Sequence, residues 1–164
     1  MSNWTANLLK ALYAWFKKRT TSKSDKPLQI EPSEISERYI IDRNWFNIKG
    51  VKPAAFLPRT DPNFGLSTSI FRESRMSSYE KRQTKAEFEK LANNRKIKKV
   101  AQLIISDIES QSNLDESKNS IPLKVVPEES QFKWHADIIN WPADKHEQKA
   151  ICLELSKKAK MISP

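Results

Sequence analysis

His135 and Asp137 stand two residues apart, inside the polar cluster best suited to chemistry: His135, Asp137, Asp144, His146 and Glu147. In an extended run, residues i and i+2 leave the backbone on the same side. An imidazole and a carboxylate placed that way can share a proton or a metal. His146 falls on the helix expected next and can approach the pair. A structural reading stands beside the catalytic one. Asp144 and Glu147 suit the first turn of that helix, where acids face the positive end of its dipole, and His135 can make a structural hydrogen bond. No third ligand has diagnostic spacing, so neither a metal nor a cofactor is expected. If the pair acts on a nucleotide or phosphodiester, Arg72 is the candidate to hold phosphate.

Other chemistries are excluded more firmly. The chain has two glycines, Gly50 and Gly65, too few for loops that let backbone approach phosphates closely. No Gly-x-Ser-x-Gly elbow is present. The single cysteine, Cys152, cannot form an internal disulfide or a Cys-rich zinc site, and its place on an apolar helical stripe makes it an inert packing group.

The net charge of +9 is unevenly spread. Residues 1–60 carry eleven Lys and Arg against five Asp and Glu, residues 61–110 ten against seven, and residues 111–164 eight of each. Lys81, Arg82, Lys85, Arg95, Lys96, Lys98 and Lys99 are the candidate nucleic-acid contacts, since phosphate recognition needs little more than clustered cations. Glu80, Glu87 and Glu89 interrupt this patch and can pair with lysines at helical spacing. A merely solvated basic face is therefore the alternative.

Stepping outward to the elements, residues 1–20 hold an amphipathic helix whose face is Trp4, Leu8, Leu12, Trp15 and Phe16. Residues 21–32 are a linker through Pro27 and Pro32, and residues 33–164 form a single α+β domain. The tethered helix packs in cis, docks on a partner or second copy, or lies on an anionic membrane surface. Within the domain, Ser33 is expected to cap a short helix through Tyr39. Strands are expected near residues 44–58, 66–72 and 121–126, with helices over 78–94 and from Ala143 to Lys160. Residues 97–108 read as a helix ending near Lys99 followed by a strand, and 110–120 as loop. Leu66, Thr68 and Ile70 should share one strand face, and Ile151, Leu155, Ala159 and Ile162 the buried stripe of the last helix. The overall expectation is a small mixed sheet with a C-terminal packing helix and a separate N-terminal helix. No run reaches the roughly 18–20 apolar residues of a spanning helix, and the basic cluster Lys17, Lys18, Arg19 follows the apolar stretch instead of preceding it, unlike a secretory signal. A cytoplasmic location is expected.

Two resemblances add to this. Ser67-Thr68-Ser69 resembles the Ser-Thr-Ser strand of one class of ADP-ribosyltransferases, in which a basic residue precedes (here Arg43 or Arg59) and a Glu-x-Glu follows (here Glu87-Phe88-Glu89). The Glu pair here falls on a Lys-rich helix and not before a strand, a departure from that pattern. More of the chain, about residues 35–160, resembles a family of short uncharacterised bacterial proteins. The matching runs are Ile35-Ser36-Glu37-Arg38-Tyr39-Ile40, Val51-Lys52-Pro53-Ala54-Ala55-Phe56, Leu66-Ser67 to Phe71-Arg72, and His135-Ala136-Asp137-Ile138 with Trp141-Pro142, Asp144-Lys145 and Gln148-Lys149. That family carries Gly where this chain has Asn140. The resemblance implies a bacterial or mobile-element origin and one compact domain, and no activity.

Three functions fit. The leading one is a binding module with a basic surface for nucleic acid or an acidic protein, docking through its N-terminal helix. The second is a small enzyme using His135 and Asp137. The third is a self-assembling structural protein.

Overall fold

A computed structural model of the chain describes residues 29–63, 65–114, 120–128 and 132–164. The helix expected over residues 3–19, with Trp4, Leu8, Leu12, Trp15 and Phe16, lies outside the described residues, as does most of the linker.

The fold is α+β. Strand β1 (Ile35–Ile40) is followed by a 3-10 turn at Arg43–Trp45, by the short strands β2 (Phe46–Asn47) and β3 (Gly50–Val51), and by a second 3-10 turn at Pro53–Phe56. Next come β4 (Arg59–Asp61), β5 (Gly65–Arg72), helix α1 (Ser78–Leu91), β6 (Lys99–Ile104), helix α2 (Ile105–Glu109), β7 (Ser112–Leu114), β8 (Ser120–Pro122), β9 (Lys124–Pro127), β10 (His135–Ile139), helix α3 (Lys145–Lys158) and β11 (Lys160–Ile162). The main sheet runs β11-β6-β1-β5-β10-β9, with β4 paired to β5. Every strand pairing among the described residues is antiparallel.

Alternation along the strands gives the sheet two apolar faces. Ile40, Ile70, Ala101, Leu103, Ala136 and Ile138 point into one core, closed by Ile151, Cys152 and Leu155 of α3. Trp141 packs in the same core and donates its indole N–H to the Ile138 carbonyl. Burial pushes the Cys152 thiol up to about 12, so it is protonated packing at neutral pH. The second face is thinner. Tyr39, Phe71 and Val100 form it with Phe132, and Phe88 of α1 packs against them. No residue of α1 is itself buried. That helix is held locally by a capping box, in which Ser77 and Glu80 exchange hydrogen bonds.

The structure corrects four expectations. Residues 33–39 form no helix: Ile35 to Ile40 pair in continuous register with β6, and this pairing outweighs the capping signal at Ser33. Residues 97–104 begin as irregular chain and continue as strand, because Asn93 and Asn94 adopt left-handed φ of 56° and 59° and end the helix. The polar stretch 110–120 contributes β7 and the start of β8. The last helix stops at Lys158, and Ile162, expected on its stripe, belongs to β11. The fold also begins earlier than residue 33, since Ile30 packs against the core and Arg72 donates to the Gln29 carbonyl.

Candidate functional site

β1 and β5 pair only at Ser36↔Arg72 and Glu37↔Phe71. Past Glu37 they part, and the Arg38 guanidinium occupies the gap. Its Nε donates to the Ala55 carbonyl at 3.1 Å and its Nη1 to the Ser69 carbonyl at 2.6 Å. β4 sets Arg59 opposite Ser67. The two arginines converge on Trp45, with guanidinium carbons 6.0 and 5.8 Å from the centre of its ring. Around them opens a cleft of about 280 Å³, lined also by Asp61, Ser67 and Ser69. Burial, then the charge of Arg59, pull Arg38 down to about 10, against the opposing pull of Asp137. It remains a cation at neutral pH. Neither arginine has an ion-pair partner among the described residues.

On the other side of Ser69 stands the pair read from sequence. β10 lays His135 opposite Phe71 and Asp137 opposite Ser69, so both side chains share the face covered by α1. His135 Nδ1 lies 2.8 Å from the Glu128 carbonyl and 2.8 Å from Glu128 Oε2. Both partners are acceptors, so Nδ1 carries the proton and donates. Asp137 is 2 % exposed and its Oδ1 has no hydrogen-bond partner. Burial pushes its carboxyl up. The charge of His135 and a hydrogen bond with the Ser69 side chain oppose that shift. Buried polar atoms are normally paired. The exceptions among the described residues are Asp137 Oδ1, Glu37 Oε2 and Tyr39 OH. All three belong to the thin face under α1.

The remaining candidates disperse. Arg72 is completely buried and bound at 2.9 Å to both oxygens of Glu34, which also takes Arg75. It cannot hold an incoming phosphate, and the arginines suited to that role are Arg38 and Arg59. Asp144 caps α3 by accepting from the His146 and Glu147 amides, and these two side chains are exposed. In the basic set, Lys81 pairs with Glu73 and Lys96 with Glu89. Lys85 lies 5.9 Å from the Tyr39 ring. Arg82, Arg95 and Lys98 are exposed, and Lys99 sits in β6 opposite Ile40. Arg59 is the basic residue found beside the Ser-Thr-Ser strand. Arg43 sits in the 3-10 turn, and Glu89 is taken up by Lys96 and the Ile97 amide, so no Glu pair meets that strand.

Sequence reasoning missed Arg38, Trp45 and Glu128. Glu128 follows β9, and only the β9–β10 pairing brings its amide to the His135 carbonyl. Arg38 becomes distinctive only because two strands separate beside it. Asn140 is better explained. It adopts a φ of 64°, the left-handed region that glycine enters freely and asparagine tolerates. No family model, curated protein or solved structure matches the chain.

Proposed function

We propose that this protein is a nucleic-acid-binding module that takes a backbone phosphate of a single strand into the Arg38–Arg59 cleft. The observation that carries the reading is the convergence of two arginines without carboxylate partners on one indole. Arg38 is pre-positioned by two backbone carbonyls, so little side-chain freedom is lost when its remaining N–H groups meet an anion. Arg59 adds a second donor fork. The exposed Arg82, Arg95 and Lys98 supply a longer-range field for a polyanion. The N-terminal face from Trp4 to Phe16 serves docking in this reading.

The test is fluorescence anisotropy with a labelled single-stranded oligonucleotide in EDTA. Arg59→Ala should weaken binding about tenfold and reduce the salt slope by about one phosphate contact. Equal affinity for wild type and Arg59→Ala overturns the reading. A second reading, acid–base chemistry on a phosphodiester by His135 and Asp137, is favoured by one observation: Asp137 stands opposite Ser69 in the β5–β10 pairing, and Ser69 lines the cleft.

A further inference from the structure

We infer that Glu128, His135 and Asp137 bind a divalent transition-metal ion of the Zn²⁺ or Mn²⁺ class. One donor atom from each residue lies within 4.8 Å of the other two. A single imidazole with two carboxylates suits such ions better than Ca²⁺ or Mg²⁺, which prefer all-oxygen shells.

Asp137 is almost wholly buried, and its Oδ1 is without a partner. A carboxylate oxygen in that state is stabilised by a cation. His135 Nδ1 and Glu128 Oε2 stand 2.8 Å apart, a few tenths of an ångström short of the about 3.0 Å (octahedral) or about 3.4 Å (tetrahedral) between adjacent donors on one ion with bonds near 2.1 Å. The ion takes the place of the proton these two atoms share, and that proton leaves to solvent. Ser69, the cross-strand neighbour of Asp137, stands where a residue of the next shell orients a ligand carboxylate in metal sites. The inference does not need the nucleic-acid reading, because Arg38 and Arg59 contribute nothing to the ion.

The experiment uses the full chain, stripped with EDTA and returned to phosphate-free buffer, titrated calorimetrically with ZnCl₂ and separately with MnCl₂. Wild type should take up one equivalent of at least one ion. Asp137→Asn and Glu128→Gln should each weaken uptake at least tenfold, while His146→Ala leaves it unchanged. Melting curves establish that each variant is folded. If Asp137→Asn fails to fold, Glu128→Gln, at the half-buried rim, decides alone. No stoichiometric uptake by wild type, or unchanged affinity in Glu128→Gln, overturns the site. Oligonucleotide binding is measured in EDTA, so failure of one proposal leaves the other standing.

Discussion

Two arginine clusters treat their charge in opposite ways. Beside the end of β5, Arg72 and Arg75 converge on Glu34, whose carboxylate accepts from both and from the Glu31 amide. Burial pushes the Glu34 carboxyl up, but these hydrogen bonds outweigh it and hold the group at about 2. Beside the start of β5, Arg38 and Arg59 converge on Trp45, an uncharged ring. In the first cluster one carboxylate engages both guanidinium groups and fixes residues 29–34 to the sheet. The second is open, and its positive field faces a cleft. The contrast teaches that the count of arginines near a strand says little. What matters is whether a carboxylate has already taken their donors, since a buried cation without a partner is expensive to maintain and favours an incoming anion.

The sharpest way to break this contrast is to open the closed cluster. Glu34→Ala strands the buried Arg72 and should cost about 3–5 kcal/mol of stability, read by urea denaturation. The pH dependence follows from the same group. The Glu34 pKa falls from 4.5 to about 2 on folding, so its contribution is complete above pH 4.5 and is lost as pH drops toward 2. A Glu34→Gln variant should lack that part of the acid transition. Arg38→Ala removes two hydrogen bonds to half-buried carbonyls and should cost about 2 kcal/mol, along with oligonucleotide binding. Arg59→Ala lies on an exposed strand and should change stability by less than about 0.5 kcal/mol while weakening binding about tenfold. A large loss of stability there would mean that the second cluster is as structural as the first. The smallest effect belongs to Lys96→Ala. Its charge is spent on Glu89 at the surface, and such pairs contribute about 0–1 kcal/mol. Anisotropy should show oligonucleotide affinity within about twofold of wild type.

Much of the fold was legible. The alternation of Leu66, Thr68 and Ile70 places β5, and the apolar spacing of Ile151 and Leu155 places α3. Both signals are local, set by the pleat and by the helical turn. Residues 35–40 misled because their partners in β6 lie 59 to 69 positions away, from Ile40↔Lys99 to Ile35↔Ile104. β11 was hidden because nothing in the sequence after Lys158 opposes continuing the helix. Of the candidate site, the shared face of His135 and Asp137 followed from their spacing. Arg72 was assigned to a phosphate, and its donors are taken by Glu34.

By itself the sequence determined the α+β class, the strand and helix faces that make the core, the inert cysteine and the same-side placement of His135 and Asp137. Those properties depend on residue types and on short, fixed periods. Only the tertiary structure decided which cations are neutralised and which are open, that Glu128 reaches His135, and that β1 and β5 separate to admit Arg38. Charge pairing and strand separation depend on distances between residues far apart along the chain, and no local period encodes such distances.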